Sequence, residues 1–196
     1  LTHEIMNATA PITSISQSML GRSDVKGTPL EAGIQAIYDT SRHLNDFVAN
    51  YRKMSQLEKP VLTDVPLRPL IDDVCKVYPE LTWEVSVAPD VVARADAVML
   101  RQVLINLTKN AIEAGAKKIV VETDSSLLLY ISNDGQPIPA ENRQSLFVPF
   151  FTTKRSGSGI GLSLSRRMMI QQGGGLELAD HPHGGYHTTF LLSLGA

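Results

Sequence analysis

Two stretches within the first 51 residues have a heptad pattern, in which mostly apolar side chains are spaced alternately by four and three. In the first stretch the positions are Leu1, Ile5, Ala8, Ile12, Ile15 and Met19, and in the second they are Leu30, Ile34, Ile37, Ser41, Leu44, Val48 and Tyr51. This spacing predicts two long helices. Gly21 is a suitable end for the first helix and Pro29 a suitable start for the second. The polar residues 22–28 between them predict an antiparallel hairpin.

Such a hairpin exposes its seam unless another surface covers it. A second copy of the hairpin is the most economical cover, because the two pairs of helices then form a four-helix bundle. The sequence therefore predicts a homodimer formed through the hairpins.

Pro60 marks a change in the pattern. Beyond it we predict strands and helices mixed without regular βαβ alternation, which favours an α+β sandwich with helices on one face of a mixed sheet. The predicted strands are 61–65, 82–87, 91–94, 118–123, 127–132, 176–178 and 188–194, and the predicted helices are 68–77, 96–114 and 160–172. The strand 127–132 is almost entirely apolar and is expected at the centre of the sheet. The predicted domains are 1–59 and 60–196.

Composition narrows the possible partners. Lys and Arg number 18 and Asp and Glu number 20, so the net charge of -2 gives no reason to expect nucleic acid or a polybasic membrane contact. A single cysteine excludes an intrachain disulfide and any site with several Cys ligands. No apolar run approaches the roughly 20 residues of a membrane span. The chain starts in mid-pattern without Met, and we expect a soluble fragment of a longer protein.

His3 and Glu4 form the first candidate for chemistry. With Ile5 at heptad position a, His3 falls at f and Asn7 at c, so both face away from the seam. An accessible, neutral imidazole is a usable nucleophile, and an adjacent carboxylate can accept its Nδ1 proton. The alternative is an ordinary surface histidine. A zinc-protease motif is excluded, because Asn7 stands where the second histidine would be.

Asn106 and Asn110 form the second candidate, four residues apart on the polar side of a predicted helix. Two neutral amides can hold a hard cation whose other ligands are phosphate and water. The alternative is ordinary helix polarity, although Asn is a poor helix former.

The third and fourth candidates are turns. Asn133, Asp134 and Gly135 follow the apolar strand, where an amide or carboxylate could read an adenine edge, or they form a simple β-turn. Gly157, Gly159 and Gly161 follow Lys154 and open a helix, where backbone N–H groups can bind phosphate. By itself the glycine triplet is a weak signal, since it matches neither the dinucleotide fingerprint nor a P-loop.

In this order and spacing the segments resemble the H, N, G1, F and G2 boxes of sensor histidine kinases of two-component signalling, with the F box at residues 147–154. The resemblance covers essentially the whole chain. It implies a dimerisation and histidine-phosphotransfer hairpin in 1–59 and a GHKL-type, ATP-binding catalytic domain in 60–196. It also implies ATP or ADP and Mg²⁺ as cofactors and a response-regulator receiver domain as partner.

The resemblance implies a role for each matched residue. His3 would be the phospho-acceptor, Glu4 its proton acceptor, and Asn7 the amide that orients a water for dephosphorylating the partner. Asn110 would carry Mg²⁺ with support from Asn106. The nucleotide-binding residues would be Asn106, Lys109, Asn110, Asn133, Asp134, Gly135, Lys154, Gly157, Gly159, Gly161, Leu162 and Thr189.

Two departures from the family pattern stand out. In the G1 box, Asn133 occupies the usual place of an aspartate and Pro137 that of the second glycine, which weakens the expected bond to adenine unless Asp134 takes over. In the H box, the usual proline position holds Ala8, and Pro11 lies three residues further on. A bend in the helix would then come one turn later.

Two other functions are compatible with these residues. One is a GHKL ATPase without histidine phosphotransfer, although such enzymes use a glutamate where this chain has Asn106. The other is a degenerate scaffold or a phosphatase-only sensor. The resemblance implies a location in the cytoplasmic part of a bacterial sensor kinase and leaves open an inner-membrane anchor in the full-length protein.

Overall fold

The computed structural model describes residues 2–55, 57–124, 127–154 and 157–195, and the side chains of residues 2–4, 50 and 53–55 lie outside the description. The chain forms two compact units, Leu1–Leu57 and Glu58–Ala196. The division lies close to the domain boundary predicted at Pro60.

The first unit is a hairpin of two helices. Helix α1 spans Thr2–Leu20 and helix α2 spans Pro29–Ser55, as the heptad spacing predicts. In the connection Val25 is buried, and the Gly27 amide donates to the Glu31 carboxylate at 2.7 Å, which ties the turn to the first turn of α2. Helix α1 continues through Pro11.

Polar side chains fill part of the contact between the two helices. The hydroxyls of Thr13 and Ser41 lie 2.6 Å apart, and the Ser41 hydroxyl donates to the Thr9 carbonyl at 3.1 Å. The Asn45 side chain donates from Nδ2 to Thr13 Oγ1 at 3.1 Å, and its Oδ1 accepts a bond from the Thr9 hydroxyl. These bonds satisfy hydroxyl groups that burial would otherwise leave unpaired.

The predicted seam of α2 divides into two stripes. Every second member of it is buried in the hairpin, namely Ile34, Ser41 and Val48. The intervening members are exposed, namely Leu30, Ile37, Leu44 and Tyr51. The seam is therefore not one continuous contact, because α1 covers only half of it. In α1, Ile12, Ile15 and Met19 are also exposed.

The second unit contains seven strands and four helices among its described residues. The strands are β1 Thr63–Pro66, β2 Thr82–Ser86, β3 Val92–Ala95, β4 Lys118–Thr123, β5 Leu128–Asn133, β6 Gly175–Leu178 and β7 Thr188–Ser193. The helices are α3 Leu67–Val77, α4 Ala97–Glu113, α5 Ala140–Arg143 and α6 Gly161–Gln171. The predicted α+β class is confirmed. The short α5, which the sequence did not predict, lies between β5 and α6.

Five strands form one mixed sheet in the order β2-β4-β5-β7-β6. Strands β2 and β4 are parallel and the other neighbours are antiparallel. Strand β5 is the central one, as its apolar sequence predicted. Strands β1 and β3 pair separately as an antiparallel ribbon.

One face of the sheet is apolar and lies under the helices. Its buried residues are register partners on neighbouring strands, including Ile119, Val121, Leu129, Ile131, Phe190, Leu192 and Leu176. A small cavity is lined together by Ile71 and Val74 of α3, Leu104 and Thr108 of α4, and Trp83, Val121 and Ile131 of the sheet. Helices α3 and α4 therefore cover this face, and truncating a side chain such as Leu129 to alanine would cost about 2–5 kcal/mol.

Side-chain bonds hold the start of α4. Asp96 Oδ1 accepts the Val98 and Met99 amides at 2.9 and 3.0 Å, which is an N-cap. The Asp96 amide donates to Gln172 Oε1 at 2.7 Å, which joins α4 to the end of α6. Among the described helices, none has the length and apolar character that crossing a bilayer requires.

Candidate functional site

Helix α4 presents the two predicted asparagines beside its apolar face. Leu100, Val103 and Leu107 are buried on that face, whereas Asn106 and Asn110 are half-buried. Since residues four apart lie one turn above each other, the two amides share one edge of the helix.

The Asn106 side chain joins α4 to α6. Its Nδ2 donates to Ser165 Oγ at 3.1 Å and to the Gly161 carbonyl at 3.4 Å, and its Oδ1 accepts Gln102 Nε2 at 3.0 Å. Both ends of the amide are therefore engaged by protein groups. In this arrangement Asn106 ties the first two turns of α6 to α4, and its predicted role at a metal stays a prediction.

Asn110 holds the lysine of the glycine-rich segment. Lys154 Nζ donates to Asn110 Oδ1 at 3.2 Å and also to the Glu113 carboxylate. The structure thus brings together Asn110 and Lys154, which the sequence singled out separately. Glu113 was not predicted as a site residue, although its position three residues after Asn110 places it on the same edge of the helix.

Asn133 ends β5 on the helix-covered face of the sheet, where it is 5% exposed. Its Oδ1 accepts the Gly135 amide at 3.1 Å. A Cβ on Gly135 would lie 3.0 Å from that oxygen and 3.1 Å from the Ala114 carbonyl, so a side chain there would crowd the turn. The Gln136 amide donates to the Ala114 carbonyl at 2.9 Å. The Asn133 turn therefore lies against the end of α4, one turn beyond Asn110.

Thr188 lies next to Asn133, and Thr189 does not. Strands β5 and β7 pair Asn133 with Thr188 and Ser132 with Thr189. Because side chains alternate along a strand, Thr188 faces the helices and Thr189 faces the other side. The Thr189 and Ser132 hydroxyls lie 2.8 Å apart, both buried. Thr188 and not the predicted Thr189 therefore shares the face of Asn133, and nucleotide binding by Thr189 stays a prediction.

Asp134 is engaged in the backbone of β4. Its Oδ1 accepts the amides of Lys118 at 2.9 Å and Lys117 at 2.8 Å. The bond from the Lys118 amide, followed by that from Lys117, holds the pKa of the Asp134 carboxyl below its ordinary value. The Asp134 carboxylate thus binds the backbone at the start of β4. Asn133, and not Asp134, lies on the face of the sheet that the helices cover.

The glycine-rich segment is a loop closed at its base. The Phe150 amide donates to the Gly159 carbonyl at 2.9 Å. Gly159 has φ +64, and a Cβ there would lie 2.4 Å from the Phe150 carbonyl carbon. A Cβ on Gly157 would lie 2.5 Å from Thr152 Oγ1. Both glycines are thus required by the packing of the loop itself.

Helix α6 begins at Gly161, two residues after Gly159 of this loop. Among the described residues, no side chain caps the helix at Ile160, and none comes within 4 Å of the place that a Cβ on Gly161 would take. Backbone amides at the start of a helix attract anions, so this turn is a candidate for binding phosphate. Leu162 is half-buried in the same turn, and Lys109 is exposed on α4.

The three predicted hairpin residues lie in α1. The range of α1 includes His3 and Glu4, but their side chains lie outside the described part of the chain. Asn7 is exposed.

Comparison with known families identifies the class. Residues 95–196 match the family described as histidine kinase-, DNA gyrase B-, and HSP90-like ATPase. The match covers more than half of the chain and includes the helix with both asparagines, the Asn133 turn and the glycine-rich loop. The chain belongs to this family of ATPases.

Relatives place the chain on the histidine-kinase branch. The nitrogen regulation protein NtrY of Azorhizobium caulinodans is 27% identical over 208 residues, covering 94% of this chain and 26% of NtrY. The signal transduction histidine-protein kinase AtoS of Escherichia coli is 40% identical over 106 residues, covering 51% of this chain and 17% of AtoS. This chain thus spans about a quarter or less of either relative. The predicted resemblance to sensor histidine kinases is confirmed.

A solved structure agrees over both units. The histidine kinase ThkA, solved in complex with the response regulator protein TrrA, superposes with a TM-score of 0.65 and 27% identity, covering 99% of this chain and 59% of the ThkA chain. The catalytic domain of ThkA alone gives a TM-score of 0.59 and 30% identity over 69% of this chain and 95% of that domain. The second unit is the catalytic domain of a histidine kinase.

Proposed function

We propose that this chain is the kinase core of a two-component sensor, which phosphorylates His3 from ATP and passes the phosphoryl group to an aspartate of a receiver domain. The observation that carries the proposal is the bond between Lys154 of the glycine-rich loop and Asn110 of α4, inside the domain that matches histidine kinases. This bond places the ammonium group of Lys154, which can bind phosphate, beside the amide oxygen of Asn110, which can bind a metal ion.

Asn133 and Thr188 are the proposed adenine contacts. Both lie on the helix-covered face of the sheet, and both are 5% exposed. The Asn133 carbonyl oxygen can accept a bond from the adenine amino group, with less strength than a carboxylate. Thr188 Oγ1 is buried with no hydrogen-bond partner among the described residues, so a ligand in this position would satisfy it.

Lys154 and the first turn of α6 are the proposed phosphate contacts. The ammonium group supplies a positive charge, and the Gly161 and Leu162 turn supplies backbone N–H groups. Gly157 and Gly159 shape the loop that carries Lys154. Lys109 is an exposed cation on the same helix as Asn110 and contributes to the field around the phosphates.

The residues present fit a magnesium ion bound together with the nucleotide. Asn110 Oδ1 already accepts a bond from a cationic group, and oxygen is the ligand type that Mg²⁺ prefers. Asn110 would hold the ion, while Asn106 keeps α6 in place. When bound, Mg²⁺ neutralises charge on the phosphate oxygens.

The chemistry on this chain's own residues is a substitution at phosphorus. His3 Nε2 attacks the γ-phosphorus, an N–P bond forms, and the bond to the β,γ-bridging oxygen breaks to release ADP. Glu4 accepts the Nδ1 proton of the imidazole, which removes the positive charge from the phosphorylated ring. The receiver aspartate then attacks the same phosphorus and frees His3. Asn7, one turn along α1, would orient a water that hydrolyses the phosphoryl group from the receiver aspartate.

The hairpin is the proposed dimerisation element. Ile12, Ile15, Ile37 and Leu44 are exposed in the single chain, and exposed apolar side chains at heptad spacing are what a partner helix would cover. A second hairpin of the same sequence would cover it and complete a four-helix bundle. We place this core in the cytoplasmic part of a longer sensor, where its receiver partner is found.

Incubation with γ-labelled ATP and Mg²⁺ tests the proposal. The unmodified chain should acquire an acid-labile, base-stable label, and His3→Gln should acquire none. His43→Gln is the matched control, because His43 is an exposed histidine on α2 and should keep the label. Glu4→Ala should slow labelling and leave ADP affinity unchanged, because Glu4 serves the nucleophile.

The same experiment separates the alternatives. Release of free phosphate with no label on the protein would indicate an ATPase without phosphotransfer. Neither label nor phosphate would indicate a scaffold or a phosphatase-only sensor. Label that persists in His3→Gln would overturn the assignment of the phospho-acceptor.

A further inference from the structure

The ammonium group of Lys154 is held by two side chains of α4. It donates to Asn110 Oδ1 at 3.2 Å and forms an ion pair with the Glu113 carboxylate. The partners are separated from Lys154 by 44 and 41 residues, so this is a contact of the folded domain and not of local sequence.

The bond to Asn110 uses the oxygen that the proposed nucleotide site assigns to Mg²⁺. An ammonium ion and a metal ion cannot both bind this oxygen along the same direction, because like charges repel at contact distance. Glu113 adds a negative charge that favours the lysine in this position. The Lys154–Asn110 bond and a metal on the same oxygen are therefore competing arrangements.

Hydrogen bonds link the backbone of Lys154 to its neighbours in the glycine-rich segment. The Lys154 amide donates to Thr152 Oγ1 at 3.1 Å, and the Gly157 amide donates to the Lys154 carbonyl at 3.3 Å. The bond at Lys154 therefore ties Lys154, Thr152 and Gly157 to α4.

We propose that Glu113 is a positioning residue that, with Asn110, latches Lys154 onto α4 in the nucleotide-free protein. Binding of the nucleotide with its metal releases the latch: Lys154 leaves Glu113 for the phosphates, and Asn110 Oδ1 passes from the lysine to the metal. The proposal rests on the nucleotide site proposed above. Glu113 then lowers the affinity for nucleotide, because the latch must open before Lys154 can reach a phosphate.

The size of that cost follows from exposure. The Lys154 and Glu113 side chains are 39% and 53% exposed, so water screens their attraction. Half-exposed ion pairs of this kind change an equilibrium by about two- to fivefold. The latch is thus weak enough for the nucleotide to open it.

A double-mutant cycle on ADP affinity tests the latch, with calorimetry on the full chain in the presence of Mg²⁺. Glu113→Gln should tighten ADP binding about two- to fivefold in the unmodified chain. In a Lys154→Met background the same substitution should change nothing, because there is no ammonium group to release. An equal gain in both backgrounds would mean that Glu113 only repels the phosphates, and it would overturn the latch. Glu177→Gln, at an exposed carboxylate of β6, is the matched control.

Amide hydrogen exchange in the nucleotide-free chain gives a second, independent measurement. Glu113→Gln should speed exchange at the Lys154 and Gly157 amides about two- to fivefold and leave β5 unchanged. Unchanged exchange at these two amides would overturn the latch. If the unmodified chain binds no ADP, the proposed function fails, while the exchange measurement still decides whether Glu113 holds Lys154.

Discussion

Thr188 is the register partner of Asn133, and its buried hydroxyl has no hydrogen-bond partner within the part of the chain that the structure describes. A buried hydroxyl without a partner carries a desolvation penalty of about 1–3 kcal/mol. The adjacent Thr189 hydroxyl is satisfied by Ser132 on the opposite face. The Thr189 hydroxyl thus contributes to the stability of the fold, whereas the Thr188 hydroxyl is available to a ligand.

Valine substitutions at the two threonines should therefore separate binding from stability. Thr188→Val removes a hydroxyl that contributes nothing to the nucleotide-free fold, so stability should hold or rise while ADP affinity falls several-fold. Thr189→Val strands the Ser132 hydroxyl and should cost about 1 kcal/mol or more of stability while leaving ADP affinity unchanged. Urea unfolding and calorimetric titration of both variants measure the two effects. Loss of ADP affinity in Thr189→Val alone would reverse the assignment.

Restoring an aspartate at position 133 should strengthen nucleotide binding. Asn133→Asp replaces a neutral acceptor by a charged one, a gain of roughly 1 kcal/mol or several-fold in ADP affinity. Because the position is 5% exposed, the nucleotide-free variant should also unfold at a lower temperature. Calorimetric titration and a thermal melt test the two parts. Weaker ADP binding in Asn133→Asp, with loss of binding in Asp134→Ala, would instead assign adenine recognition to Asp134.

Asp134 should stabilise the domain in a pH-dependent way. Its folded-state pKa lies below the unfolded value, so its contribution is present above the unfolded pKa of about 3.9 and is lost as pH falls through the folded pKa. Asp134→Asn should cost about 1 kcal/mol near neutral pH, and the difference from the unmodified chain should shrink below about pH 4. Urea unfolding across pH 3–7 measures it, with Asp90→Asn as the control at an exposed carboxylate. A difference that stays constant down to the lowest pH would show that the charge of Asp134 is not involved.

A charge on the exposed stripe of α2 should prevent dimerisation. Ile37 is 52% exposed in the single chain, and Ile37→Lys would place an ammonium group in the proposed interface at a cost of several kcal/mol. Sedimentation should show a dimer for the unmodified chain and a monomer for Ile37→Lys. Ala32→Lys, on the opposite side of the helix, should remain dimeric. A monomeric unmodified chain at micromolar concentration would contradict the proposal.

Local sequence signals predicted most of the fold. Heptad spacing located α1 and the start of α2 to within a residue or two, although α2 runs four residues beyond Tyr51, and the predicted helix 96–114 matches α4 to within one residue at each end. The apolar run 127–132 identified the central strand. These signals succeed because they depend on neighbours within a few residues, which the sequence displays directly.

Contacts between distant segments could not be predicted in the same way. Thr188 and Thr189 differ only in which face of β7 they occupy, and that depends on the pairing of β7 with β5. Likewise, nothing near Glu113 in the sequence indicates that a lysine 41 residues away will bind it. The heptad pattern also identified the seam residues of α2, but it could not show which of them pack against α1 and which stay exposed in the single chain.

The hairpin places hydroxyl and amide groups between its own helices and leaves much of its apolar surface outside. Apolar burial is the dominant favourable contribution to folding, so this arrangement makes the helical unit depend on association for much of its stability. If the hairpins associate as proposed, their unfolding midpoint should rise with protein concentration, as expected for any equilibrium that consumes two chains to form one folded bundle. The sandwich, whose core lies within one chain, should unfold independently of concentration. At low copy number in a cell, the phospho-acceptor helix would therefore be the first part of the protein to lose its structure.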